Sequence, residues 1–347
     1  MKLLFLACLS PKTGNCTTAE RIREHIESSG HICVLRDIVD FKSPADVAAL
    51  VAQEPSFEGA LAIHLYKGGR LLLGSKAPFG IVFGGTDINE DVKDEKKRMV
   101  MEQVLKKARF AVAFSHKLKQ QAEVFWLSQS NKIYIQPQGI ETKATASFSW
   151  RAFLRGSGVN GADVEDLHVF LLVCGLRRVK DPLFLAEAFS EWHSEDPSVI
   201  LIIIGPKIDP VFTGEVEANV ERLRGVFLAS ERSQEQLHAV LKWSSALVNS
   251  SVSEGMSAAI LEAMDLRVPV VARDIPGMQR LSDTRKLDCS SPLRRSSEQE
   301  FVSVSKRLLR DRSLRERVVR NGKRYVEEFH SSAAERITYQ KLVELLH

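Results

Sequence analysis

Apolar residues along this chain fall into two recurring patterns. Short, nearly continuous apolar runs are each followed by a polar loop, and most loops lead into a stretch whose apolar positions repeat at helical spacing. Runs at residues 2–9, 31–36, 59–65, 79–83, 109–114 and 132–136 form a first series. Runs at 167–174, 199–204, 226–229, 246–249 and 268–272 form a second. A strand buried on both faces has no reason to alternate polar with apolar, so unbroken runs predict parallel strands covered by helices on each side. The first βαβ unit is legible in detail. Pro11 and Gly14 lie in the loop after residues 2–9, Thr17 or Thr18 caps a helix to Ser29, and Gly30 ends it.

Two such series predict an α/β chain with two doubly wound parallel sheets. The polar stretch 142–166, with Gly156, Gly158 and Gly161, is the expected linker. The expected domains are therefore 1–155 and 165–328, with a last helix over 329–347. Residues 300–328 read as amphipathic helix, interrupted near Asp311 and Gly322.

Composition adds bounds. At 347 residues, 44% hydrophobic and 27% charged, the chain suits a globular protein of two domains. A formal net charge of +4 calls for neither nucleic acid nor a membrane surface. Cys8, Cys16, Cys33, Cys174 and Cys289 show no C-x-x-C spacing, so reduced thiols and no zinc site are expected. No apolar run reaches the length of a transmembrane helix. The opening MKLLFLACLSP can mimic a short signal peptide, but cleavage there would delete a central strand. A cytoplasmic protein is the expectation, and secretion is the alternative if that stretch acts as an export signal.

Two stretches carry candidate chemistry. In VNSSVSEGMSAAILEAM, residues 248–264, a strand passes through a loop with Ser250, Ser251, Ser253 and Gly255 into a helix. Glu254 and Glu262 lie eight residues apart, about 12 Å at helical rise. Carboxylates accept hydrogen bonds from sugar or ribose hydroxyls, and the helix start between them favours phosphate. In CGLRRVKDP, residues 174–182, the loop after a strand carries Arg177, Arg178 and Lys180 to the carboxyl edge of a parallel sheet. A surface glutamate pair and a solvated basic loop would explain each stretch separately. Together they describe a nucleotide-diphosphate-sugar site.

These residues carry a resemblance. The order G-L-R-x-x-K-D-P, then Gly205-Pro206 after a strand, then S-E-G-M-S-x-x-I-L-E-A-M and V-P-V-V-A-R-D-I-P-G resembles the retaining GT-B glycosyltransferases of family 4, the glycosyltransferase group 1 domain. The resemblance covers nearly the whole chain. It implies two Rossmann-like domains facing across a cleft, with the acceptor on the first and the nucleotide sugar on the second. The last helix would cross back to the first domain. The implied reaction, of the EC 2.4 class, moves a sugar, hexosyl or related, from a nucleotide-diphosphate donor to a hydroxyl of a glycan, lipid or protein. Configuration is retained, and neither metal nor cofactor takes part; no D-x-D sits at a strand end to suggest otherwise.

By the same resemblance His64, Glu254, Arg177 and Lys180 are the catalytic candidates. Glu254 and Glu262 form the E-x7-E motif, on donor-sugar and ribose hydroxyls respectively. Gly14, Gly205, Gly255, Met256 and Ser257 join them and the two cations in donor binding, while Asp87 and Lys67 are placed on the acceptor side; a cap on the following helix is the commoner use of a loop aspartate such as Asp87. The chain also departs from the family pattern. Gly14 stands alone where paired glycines are common, and Gly84 replaces the histidine of His-Gly-x-Asp. Pro137-Gln138-Gly139 stands for Pro-Asn-Gly, and 281–298 has no glycine where an apolar Gly turn holds the base. These departures motivate a rival reading, a catalytically inactive GT-B module that binds a partner protein or glycan. A nicotinamide dehydrogenase would suit the sheets but needs a G-x-G-x-x-G after a strand, which is missing.

Overall fold

The computed structural model describes residues 1–10, 14–160, 166–252, 257–273, 275, 293–295 and 297–347. The chain divides into two compact units, Met1–Gly139 with His330–His347, and Ile140–Phe329. The first holds strands β1 (Lys2–Ala7), β2 (Ile32–Asp37), β3 (Gly59–Ile63), β4 (Phe79–Val82), β5 (Phe110–Ala113) and β6 (Ile133–Ile135). All pair in parallel, in the order β2-β1-β3-β4-β5-β6. The second holds β7 (His168–Val173), β8 (Val199–Ile204), β9 (Val226–Ala229), β10 (Ala246–Asn249), β11 (Val270–Arg273) and β12 (Leu293–Arg295). Their parallel order is β12-β11-β10-β7-β8-β9.

Burial on both faces accounts for the unbroken apolar runs. In β1, Leu4 and Leu6 join one core with Val47, Leu71 and Val104, whereas Leu3 and Phe5 join another with Ile22, Ile26 and Tyr339. The same division holds in the second unit. Phe170, Leu201 and Ile203 face one core, while Leu171, Ile200 and Ile202 face the other. Each strand therefore contributes apolar surface to two layers, and alternation with polar residues would leave one of them unfilled.

The chain end closes the first unit. Helix Ser332–Glu344 lies against helix Gly14–Glu27 through the buried Glu335, whose carboxylate accepts from Arg21 Nε at 2.8 Å and lies 3.0 Å from His25 Nε2. Burial alone would raise the Glu335 pKa, but His25 and Arg21 outweigh it and hold the group below its ordinary value.

Several expectations need correction. Residues 140–155 belong to the second unit, and the expected linker contains helix Trp150–Gly156. Phe153 and Leu154 are buried in the second unit's core, and Trp150 stacks on Trp243 at 6.2 Å and on Phe153 at 5.5 Å. Aromatic burial outweighs the polar composition around it. The helix Arg312–Phe329 runs through Gly322 without a break, because that glycine admits Met264, whose Cγ would lie 3.1 Å from an added Cβ. The interruption at Asp311 is present, with the Asp311 carboxylate capping Leu314 N at 2.8 Å. Helix Pro44–Val51 was not anticipated, whereas Ser115 caps helix His116–Trp126, as its place after the fifth strand suggests. Of the glycine-free stretch 281–298, all but 293–295, 297 and 298 lies outside the described residues.

Candidate active site

Each sheet has one strand from which the chain departs in both directions. In the first unit β1 lies between β2 and β3; in the second, β7 lies between β8 and β10. Such switch points open a crevice at the carboxyl ends of the strands, where α/β sheets bind ligands. The segments singled out in the sequence gather there in pairs. Those starting at Gly14 and His64 follow β1 and β3, and those with Arg177 and Glu262 follow β7 and β10.

In the second unit the loop after β7 is held close to its neighbours. Gly205 follows β8 where a Cβ would collide with the Cys174 carbonyl, so the resemblance's Gly-Pro marks a close approach of two strand ends. Arg177 is exposed and leads into the short turn Arg178–Lys180, after which Asp181 takes a left-handed backbone, φ 45°. Lys180 is half-buried. Arg178 is committed elsewhere, 2.6 Å from Glu215 and 5.0 Å above the Phe212 ring.

Two hydrogen bonds stitch this loop to the one after β10. Ser250 Oγ donates to the Lys180 carbonyl at 3.0 Å, and Val252 N to the Val179 carbonyl at 3.0 Å. Arg273, at the end of β11, braces both. Its Nη1 donates to Asp181 Oδ2 at 2.7 Å and to the Ser250 carbonyl at 3.2 Å, while the guanidinium lies 4.0 Å from the Phe184 ring centroid. The sequence reading assigned Arg273 no role. Its signal was a lone cation at the carboxyl end of an apolar strand.

Glu262 lies on helix Ala258–Asp265, buried, with Oε1 accepting from Gln234 Nε2 at 2.6 Å. His238, one turn beyond Gln234 on helix Gln234–Trp243, places Nε2 3.6 Å from Glu262 Oε2. Burial by itself would lower the His238 pKa, but Glu262 and the Lys143 carbonyl outweigh it and hold it above the ordinary imidazole value. Ser257 occupies the N-cap of the Glu262 helix and makes no side-chain cap hydrogen bond. Glu254, Gly255 and Met256 lie outside the described residues.

In the first unit His64 is the centre of a buried polar cluster. It follows β3 with φ 71°, a backbone conformation rare outside glycine and common at functional sites. The Asn15 amide nitrogen lies 3.2 Å from Nε2 and the Thr86 hydroxyl 3.1 Å from Nδ1. With Asn15 donating to Nε2, the neutral ring carries its proton on Nδ1 and donates it to Thr86. Gly84 leaves the space in which the imidazole sits, since a Cβ there would run into the ring.

Asp87 serves as the cap of the short helix Gly85–Asn89. It is wholly buried, and its carboxylate accepts from Leu65 N at 2.7 Å, Gly84 N at 2.9 Å and Tyr66 N at 3.2 Å. Those bonds tie the loops after β3 and β4 together and leave Asp87 turned inward. Lys67 is exposed, next to Tyr66, whose ring has Lys97 at 5.2 Å and Arg70 at 5.8 Å. Gly14 opens its helix, with open space where a Cβ would stand, so packing inside this unit does not require glycine there. Asn15, Thr86, Gln234 and His238 escaped the sequence reading, because each acquires its role from a partner distant in the chain.

Among the described residues no group of three or more His, Cys, Asp or Glu could hold a metal ion, and no helix is long and apolar enough to cross a membrane.

Comparison with known proteins bears on this site. The family described as Glycosyl transferases group 1 matches residues 168–311. HepE from Anabaena, solved in complex with UDP-glucose, is similar in structure with a TM-score of 0.75 and 15% identity, over 99% of both chains. Sucrose-phosphate synthase from Thermosynechococcus elongatus gives a TM-score of 0.74 at 15% identity, over 100% of this chain and 99% of that one. These likenesses are of fold, two parallel-sheet α/β units of the GT-B type. A Xenopus tropicalis protein named glycosyltransferase 1 domain-containing protein 1 is 54% identical over 346 residues, 99% of this chain and 97% of that protein. Identity at that level along the whole length, together with the matching second unit, means that the chain belongs to the group 1 glycosyltransferase family.

Proposed function

We propose that this protein transfers a sugar from a nucleotide-diphosphate sugar to an acceptor hydroxyl, with retention of configuration and without a metal ion. The observation that carries this reading is the pairing of the loops after β7 and β10. The Ser250–Lys180 and Val252–Val179 hydrogen bonds hold a basic loop against the segment that leads to the Glu262 helix. The UDP-glucose complex of HepE, a protein of the same fold, supports a nucleotide sugar as donor.

In this mechanism Arg177 and Lys180 neutralise the charge that grows on the departing diphosphate, the part that a divalent cation plays in other transferases. Glu262 accepts from ribose hydroxyls and Glu254 from hydroxyls of the donor sugar. We assign Gly205, Gly255, Met256 and Ser257 to donor binding, and His64 is the catalytic candidate that the first unit carries. Its neutral, Nδ1-protonated ring is suited to accept a hydroxyl proton at Nε2 if Asn15 gives way. Lys67 is the exposed acceptor-side candidate. The setting we propose for this reaction is the cytoplasm.

The test is a panel of nucleotide sugars incubated with wild type and with Glu262→Ala, with and without EDTA. Products are read by NMR for anomeric configuration. Turnover with one donor, undiminished by EDTA, retaining, and lost in the variant supports the reading. An inverted product or loss of activity with EDTA removes the corresponding part. Binding of a glycan or protein with no donor bound would favour the inactive-module alternative.

A further inference from the structure

Glu262 is held by side chains from another helix. Gln234 Nε2 lies 2.6 Å from Glu262 Oε1 and 3.2 Å from His238 Nε2, so its two amide hydrogens serve one acceptor each. In the neutral tautomer protonated at Nδ1, His238 Nε2 offers the lone pair that this arrangement uses. Nδ1 lies 3.0 Å from the Lys143 carbonyl, while Lys143 N lies 3.1 Å from the same atom. The ring cannot satisfy both at once, and in that tautomer its Nδ1 proton goes to the carbonyl. An oriented series then runs from the Lys143 carbonyl through His238 and Gln234 to Glu262 Oε1.

Its consequence falls on the other oxygen. Glu262 Oε2 is 3.6 Å from His238 Nε2, beyond hydrogen-bonding distance, and the Glu262 side chain keeps 9% of its surface exposed. One oxygen is engaged and the other retains acceptor capacity. We propose that Gln234 and His238 are positioning residues for nucleotide recognition, which orient the Glu262 carboxylate so that Oε2 is the oxygen offered to a ribose hydroxyl. The proposal rests on the reading of Glu262 as the ribose contact.

A carboxylate fixed at one oxygen does not lose rotamer freedom again when a ligand arrives, so preorganisation appears as selectivity for ribose. Gln234 is exposed, and its replacement removes no core packing. His238 is buried, so its variant is the harsher one.

The experiment measures binding of UDP, GDP and ADP, each beside its 2′,3′-dideoxy analogue, by calorimetry to the full chain. Wild type is compared with Gln234→Leu and His238→Phe. Wild type is expected to prefer the ribose form of its nucleotide by about tenfold or more, as for one hydrogen bond to a charged group. Both variants should bring that ratio close to one, with binding of the dideoxy form changed by less than about twofold. If Gln234→Leu weakens both forms equally, or changes neither, Gln234 is structural and the proposal falls while the nucleotide site stands. If wild type binds a nucleotide without regard to its hydroxyls, the ribose reading of Glu262 fails first. If wild type binds none of the six, the proposed donor chemistry and this inference fail together.

Discussion

The imidazole of His64 occupies the space that any side chain at position 84 would need. A Cβ on Gly84 would collide with the ring, and the ring is held from both sides by Asn15 and Thr86. The glycine at 84 and the left-handed histidine at 64 are therefore two parts of one arrangement.

Gly84→Ala should destabilise the protein by about 1–3 kcal/mol through overpacking. In a His64→Gly background the same substitution should cost less than about 0.5 kcal/mol, because the obstructing ring is gone and position 64 is free of strain. Urea denaturation of the four chains in this cycle measures the coupling. Additive effects would show that the two positions are independent.

Arg177 and Arg178 are adjacent in sequence and differ in commitment. Arg178 pairs with Glu215 and lies over Phe212, whereas Arg177 is exposed at the start of the turn. Arg177→Ala should weaken nucleoside diphosphate binding about 10- to 100-fold with an unchanged unfolding temperature. Arg178→Ala should change affinity by less than about threefold. Calorimetric titration of both variants decides, and the reverse order would move the diphosphate contact to Arg178.

Breaking the Arg273 brace should be felt in both loops it joins. The pair with Asp181 is partly exposed, with Arg273 at 23% and Asp181 at 36%, so Arg273→Met should cost only about 1 kcal/mol of stability. Asp181→Asn in that background should add little, since the partner is already absent. Nucleotide affinity is expected to drop in Arg273→Met although the protein remains folded, which titration below the unfolding temperature would show. Unchanged affinity would confine Arg273 to a stabilising role.

Glu335 links the chain end to pH. Its folded-state pKa lies below the ordinary value of 4.5, so the unfolded chain binds the proton more readily. The stabilisation is thus fully present above about pH 4.5 and is lost as pH falls through the lower folded value. Glu335→Gln should be less stable than wild type at neutral pH, and the gap should narrow below that point. Thermal unfolding across pH 3–7 tests this, and parallel curves would show that Glu335 does not titrate differently on folding.

What the sequence determined by itself was the layering and the order of the elements. Val199–Ile204, Val226–Ala229 and Ala246–Asn249 begin and end where their apolar runs do, because a strand covered on both faces leaves its full outline in the hydrophobic pattern. The basic loop at 174–182 and the turn into the Glu262 helix were legible for a related reason. Strand-loop-helix junctions concentrate their signals in a few consecutive residues, and order along the chain places them at the carboxyl edge.

Tertiary structure decided the partnerships. Asp87 could be read as an acceptor contact or as a cap of the following helix, and only the fold shows that it caps Gly84 N while also accepting from Leu65 N and Tyr66 N. The stretch around Trp150 looked like a linker until Trp243 was found stacked against it. Gln234 and His238 stand 28 and 24 residues before Glu262, and Asn15 stands 49 before His64. Local propensity and periodicity act over one or two turns of chain, whereas the orientation of a buried polar side chain is set by whichever donors and acceptors the fold brings within about 3 Å of it.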